Sequence, residues 1–276
     1  MTFRRLALRS SLLVGRRNVY RLSRFLIMGA RGDVPNDPRT NGELLVQEIA
    51  MKLALSPAVV IDVGANRGDW TASLLNRSNG IKVTVHAFEP CRETYELLAR
   101  RTRESAWSNV LAVQQACSRS PGAAKMSVHG PGAGTNTLAE LIEPANVTVE
   151  DVGLTSIDAY CRTNGVKYVD LLKIDAEGWD FEVIAGASQM LGKHLIRLLQ
   201  FEYNRRWIGA RNYLRDAFLL LSPMGYKIGK LVGNAVEFYP RWHWELETYR
   251  EGNYLACTEE VAARFPQRRP NWLRDL

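Results

Sequence analysis

Along the chain, short unbroken apolar runs alternate with segments of helical period. Glu43–Ala54 repeats its apolar positions at three- and four-residue spacing and predicts a helix, stopped at Ser56-Pro57. AVVIDVG follows, a continuous apolar run closed by glycine, which is the pattern of a strand buried on both faces of a parallel sheet. The alternation then repeats: DWTASLLNRS from Asp69 as helix, KVTVHAFEP as strand, RETYELLARRT as helix, NVLAVQQACS as strand, and a polar, glycine-rich GPGAGTNT. In the second half, LTSIDAYCRTNG predicts a helix capped by Thr155 or Ser156 and ended by Gly165. VDLLKIDAEG is a strand, DFEVIAGASQML a helix, IRLLQFEYN a strand, and YLRDAFLLLSPMG a helix with Gly225 just beyond it. GYKIGKL and NYLACTEE close the chain as two strands with no convincing helix between them, hence an antiparallel edge. The sum is an α/β fold: a doubly wound, mostly parallel seven-stranded sheet with an antiparallel C-terminal edge.

Composition adds one asymmetry. Of 36 basic residues among 276, eight are arginines within residues 1–31, a stretch holding no Asp, Glu or Lys; the other 28 face 29 acidic side chains, a net charge of −1. The overall charge of +7 therefore belongs to an arm (1–35), and the domain (36–276) has no basic face of the kind nucleic acid requires. As a helix, the arm would carry Leu8, Leu12, Val19, Leu22 and Leu26 on one side and most arginines towards the other. Peripheral contact with an anionic membrane, a mitochondrial transit segment and a plain surface helix all fit that pattern. No run is long enough to cross a bilayer, and a cytoplasmic location is expected unless the arm is a transit segment. Cys91, Cys117, Cys161 and Cys257 form no CxxC pair and stand apart from the histidines, so neither a zinc site nor a disulfide framework is expected. Nothing in the pattern sets an oligomeric state.

In open α/β sheets, ligands bind beyond the carboxyl ends of the strands, so the residues following each strand are the ones to examine. After the first strand stands Asp62-Val63-Gly64-Ala65-Asn66-Arg67-Gly68. Gly64 permits a sharp turn and Gly68 a close helix approach, but the spacing is not GxGxxG, which disfavours a pyrophosphate-bearing dinucleotide. S-adenosylmethionine (SAM) has no pyrophosphate and needs instead oxygen acceptors for its ammonium group, which Asp62 and Asn66 offer. Glu89, ending the second strand, suits an unphosphorylated ribose, and Gln115, Ala116 and Cys117 would lie alongside the adenine.

VIDVGANRGDWTASL, VHAFEPCRETYELL, LTSIDAYCRTNGVKYVDLLKIDAEGWDFEVIAGA and LLQFEYN together resemble the FkbM family of SAM-dependent methyltransferases. The likeness runs from about Val59 to about Ala187 and more weakly to Cys257; its most specific phrase holds Lys173, Asp175, Glu177 and Gly178. The resemblance implies a Rossmann-like class I methyltransferase fold, SAM as methyl donor, and most often an oxygen acceptor on a sugar, glycolipid or secondary metabolite. A nicotinamide-dependent oxidoreductase and a non-catalytic SAM-binding protein are the competing readings.

A hydroxyl acceptor has to be brought to near-attack distance and relieved of its proton. Asp175, at the end of the fourth parallel strand, is the first candidate for that work, with Glu202 and Glu177 on the same rim. The competing reading of Glu177 is an acid complementing a helix dipole, and Glu182 is expected to be solvated or structural. Asn136, Asn204 and His243 (between Trp242 and Trp244) are candidates for acceptor contact, while Lys173, inside an apolar strand, is expected to pair with a neighbouring carboxylate. The rim carboxylates are not clustered closely enough to demand a magnesium ion, and no metal is expected.

Overall fold

A computed structural model describes residues 14–33, 37–142 and 146–273. Its strands form where the apolar runs lie: β1 (Ala58–Val63), β2 (Val83–Phe88), β3 (Val110–Val113), β7 (Val169–Ile174) and β8 (Ile196–Tyr203) are parallel neighbours in the order β8-β7-β1-β2-β3. Alternate residues of these strands feed opposite core layers. Leu171 packs with Val60, Val85 and Leu198 on one face, and Leu172 and Ile174 pack with Ile61, Phe88 and Phe201 on the other. All six residues of β7 are buried, the charged Asp170 and Lys173 among its apolar positions.

The helices α2 (Glu43–Leu53), α3 (Asp69–Asn76), α4 (Arg92–Glu104), α5 (Ile157–Thr163) and α8 (Leu214–Leu221) match the periodic segments. Ser156 caps α5, its hydroxyl accepting from the Ala159 amide at 3.1 Å. The segment 180–191, expected as one helix, is two: α6 (Asp180–Ala185) and α7 (Ser188–Gly192). Asp158 enforces the break, its carboxylate accepting from the Gln189 and Met190 amides and capping α7 as a separate unit.

The antiparallel edge is present but larger than expected. β11 (Gly252–Cys257) pairs with β8 and with β9 (Lys227–Val232), and β9 pairs with β10 (Ala235–Tyr239), so the main sheet has eight strands instead of seven. A second sheet of three strands was not legible: β4 (Ala116–Cys117), β5 (Gly122–Val128) and β6 (Thr148–Thr155). The run expected as one third strand therefore divides, with β3 ending at Val113 and Ala116-Cys117 joining the small sheet.

Ahead of the domain, α1 (Arg16–Arg31) carries Val19, Leu22 and Leu26, while Leu8 and Leu12 fall outside the described residues. Arg31 is the one α1 residue that is buried. Its guanidinium donates to the Glu245 carbonyl, pairs with Asp33 and lies 4.7 Å over the Trp272 ring.

Candidate active site

The carboxyl ends of β1, β2 and β7 are laced together by the loops that leave them. The Gly64 and Ala65 amides both donate to the Phe88 carbonyl, and the Asp175 amide donates to the Val63 carbonyl at 3.0 Å. Gly64 has φ +74°, and a Cβ there would stand 1.9 Å from the Asp175 carbonyl oxygen, so only glycine lets the two loops cross. In the turn after β7, Glu177 itself is left-handed at φ 52°, and Gly178 at φ +98° lies so close to the Arg206 backbone that a Cβ would come within 2.7 Å of it. That conformation is uncommon for a glutamate, and here it accompanies a side chain that lines a cleft.

A cleft with about 680 Å³ of empty space, its open mouth included, lies at these strand ends. Gly64, Asn66, Glu89, Gln115, Ala116, Asn136, Asp175 and Glu177 all line it. Phe88, Cys117, Met126 and Leu138 add an apolar wall, part of it supplied by the small sheet. A neighbouring hollow shares Gly64, Asn66 and Asp175 and adds Glu43, Gln47, Trp70 and Lys173.

The other candidates sit elsewhere. Asp62 is fully buried below the loop, accepting from the Thr71 hydroxyl at 2.7 Å and pairing with Lys173 Nζ at 3.2 Å. Gly68 begins α3 against Leu98 and Trp107. Glu202 and Asn204 are buried beside one another at the end of β8, the Asn204 amide donating to the Glu202 carboxylate. His243 does not line the cleft: it lines a groove against Ile27 and Arg31, and its Nδ1 accepts from the Glu245 amide. Glu182, expected to be solvated or structural, forms an ion pair with Arg119.

Charge is concentrated on this rim. Lys173 stands between Asp62 and Asp175, 3.6 Å from the latter. Burial alone would lower its pKa, but Asp62, Asp175 and Glu43 together hold it above the ordinary lysine value. Burial pushes Glu89 up to about 7, against the opposing hydrogen bonds it accepts from the Cys91 and Asn66 amides. Burial and the charge of Asp175 raise Glu177 to about 8 despite its ion pair with Arg206. Burial, followed by Asp175, Glu177, Asp180 and Glu251, drives Glu202 well above the carboxylate range. Asp180, which the sequence reading passed over, is wholly buried, accepts from the Ala176 and Gly178 amides and so shapes the Glu177 turn. Glu43 and Arg206 were also missed. Both look like ordinary helix-end or surface charges until the fold brings them to the rim.

These groups suit a ligand of SAM's chemistry. Asn66 Oδ1 is a buried acceptor on the cleft loop with no hydrogen-bond partner among the described residues, the kind of oxygen an ammonium group needs. Glu89 uses two of its acceptor positions on backbone amides and retains others for ribose hydroxyls. The apolar wall offers a flat purine a place to pack, and Asp175 with Glu177 favours a cation in the cleft. Among the described residues, no three or more His, Cys, Asp or Glu side chains are placed to hold a metal ion.

Solved structures with similar folds are distant. A methyltransferase FkbM from Methylobacillus flagellatus KT is 18% identical with a TM-score of 0.46, over 74% of this chain and 44% of that one, so the present chain spans less than half its length. A precorrin-6y C5,15-methyltransferase from Geobacter metallireducens GS-15 is 11% identical (TM-score 0.42; 78% of this chain, 87% of that one). A SAM-dependent methyltransferase from Aquifex aeolicus is 14% identical (TM-score 0.39; 80% and 92%). No curated protein matches the chain. The family model of the methyltransferase FkbM domain, however, matches residues 62–228, which run from the buried Asp62 through Glu89, Asp175, Glu177 and Glu202 into β9. A match over that much of the chain, spanning both the glycine loop and the Asp175 turn, makes the protein a member of the FkbM methyltransferase family.

Proposed function

We propose that the chain transfers a methyl group from SAM to a hydroxyl oxygen of a small-molecule or glycan acceptor, such as a sugar, a glycolipid or a secondary metabolite. One observation carries the oxygen-acceptor reading: carboxylates on adjacent strand ends, two of them (Asp175 and Glu177) in the cleft and Glu202 one strand further, with Glu177 raised to about 8. Bound SAM supplies a methyl group already activated by its sulfonium, so the protein's share is to position the acceptor and take its proton. A base works best when its pKa lies near the working pH, and burial places Glu177 there. Lys173 holds Asp175 from below, and Arg206 holds Glu177 from the side, so both carboxylates have fixed directions. Glu202, held by Asn204, adds negative charge behind them.

The test is turnover of Asp175→Asn and Glu177→Gln with labelled SAM and a cell extract, followed by isolation of the labelled product. Each variant is expected to lose about 10²–10⁴-fold in rate while SAM affinity changes less than about tenfold. Normal turnover by both would remove the rim from the chemistry, and a label on nitrogen or carbon would remove the hydroxyl acceptor. Calorimetric titration with NAD separates the oxidoreductase reading, which requires NAD to bind and SAM not to.

A further inference from the structure

The feature the methyl-transfer reading leaves unused is α1. At helical spacing Val19, Leu22, Phe25, Leu26 and Ala30 occupy one arc and Arg17, Arg21, Arg24 and Arg31 the opposite one. The apolar arc is not packed on the domain: Leu22 is 60% exposed, Phe25 73% and Leu26 60%. Large apolar side chains left outside in a row mark a contact surface.

We infer that α1 is a docking element for an anionic lipid surface, lying in the interface with its apolar arc inserted and Arg17, Arg21 and Arg24 at phosphate level. Charge complementarity selects this occupant. Residues 1–31 hold eight arginines and no acid, whereas the rest of the chain carries −1 and would gain nothing from an anionic surface. A second copy of the chain would bring one arginine-flanked helix against another, with no carboxylate in either segment to compensate. Arginine stems also suit the boundary, since they lie along apolar surface while the guanidinium reaches the headgroups. Among the described residues, no helix is long and apolar enough to cross a membrane.

The root of the helix fixes what docking does. Arg31 is clamped by Asp33, the Glu245 carbonyl and Trp272, and Asp33 also pairs with Lys230 and Arg250. Residues 245–250 lead into Gly252, which stands opposite Tyr203 at the carboxyl end of β8. The helix is therefore rooted at the end of the sheet where the cleft lies. Trp244, 65% exposed, lines the groove beside Ile27 and adds an aromatic suited to the interface.

The experiment is co-sedimentation of the full chain with vesicles of phosphatidylcholine alone or with about 30 mol% phosphatidylglycerol, at low and high salt. Binding to the anionic vesicles, weakened by salt and weak on the neutral ones, is expected. Leu22→Ser/Phe25→Ser/Leu26→Ser should lower the partition coefficient by about a hundredfold. Arg21→Gln/Arg24→Gln should lower it by about tenfold. Phe25→Ser alone should give a smaller drop, and SAM titration of each variant should stay within about twofold of wild type, because these exposed residues touch neither core nor cleft. Equal binding to both vesicle types, an unchanged triple variant, or lipid-free self-association abolished by that variant would overturn the inference.

Discussion

Removing the Lys173 ammonium by Lys173→Met should destabilise the protein far more than an exchange of similar length elsewhere. The side chain is 4% exposed, with Asp62 Oδ1 at 3.2 Å and Asp175 Oδ2 at 3.6 Å. Asp62 is fully buried, and the Thr71 hydroxyl serves only its other oxygen, so the exchange strands a carboxylate with half its acceptor capacity unpartnered. Breaking a buried pair from one side costs about 3–5 kcal/mol. For a chain of this size that is a fall of about 10 °C in thermal midpoint. Lys173 is held above its ordinary pKa, so its contribution is complete below the unfolded lysine value of about 10.4 and is lost only as pH rises beyond it; urea denaturation at pH 7 reads it in full. The double variant Asp62→Asn/Lys173→Met should recover about 1–3 kcal/mol relative to the sum of the single exchanges, since the stranded charge is gone. A loss below about 1 kcal/mol for Lys173→Met, or strict additivity in the cycle, would refute the view that this lysine neutralises the floor of the site.

Gly64→Ala places a methyl 1.9 Å from the Asp175 carbonyl in a left-handed conformation, and should cost about 2–4 kcal/mol and weaken SAM binding together; unchanged melting and titration would contradict the crossing of the two loops. Glu89→Gln keeps one acceptor for the Asn66 or Cys91 amide but removes the charge, and should raise the SAM Kd about 10–100-fold by calorimetry, with a change under twofold counting against a ribose role. Glu43, Glu89 and Asp180 sit near 7 and Glu177 near 8, all raised chiefly by burial. The native state thus binds more protons than the unfolded chain from about pH 4.5 upward, so the thermal midpoint without SAM should fall as pH rises from 5 to 8. A cation among these carboxylates favours their ionised forms, so SAM binding should release protons and tighten over the same range. A midpoint that rises with pH would contradict the raised values.

The central sheet was legible because its cause is local. A strand covered on both faces is apolar at most positions, and β1, β2, β7 and β8 announce themselves that way although each holds a polar residue such as Asp62, His86, Lys173 or Gln200. The small sheet is built differently. Glu150, Asp151 and Lys125 stand among Met126 and Val152, much of it faces solvent, and its register joins Gly122 to Leu154 across a long loop. Pairing over that separation leaves no short-range pattern to read. β10 was missed for a similar reason, because Glu237 interrupts its apolar positions, yet its carboxylate is buried where Tyr239 and Trp272 donate to it.

The site divides in the same way. By itself the sequence determined which loops follow the strands, and so gathered Gly64, Asn66, Glu89, Gln115, Asn136, Asp175 and Glu177 as candidates for one end of the sheet; the family phrase around Asp175 supplied the chemistry expected there. Only the tertiary structure decided what each side chain faces. It turned Asp62 inward onto Lys173, set Glu202 behind the cleft against Asn204, brought Glu43, Asp180 and Arg206 to the rim, and carried His243 to the groove beside α1. The physical reason is that strand ends are fixed by periodicity along the chain, whereas burial, pairing and the pKa shifts that follow from them belong to neighbours tens of residues apart, which meet only when the sheet closes around them.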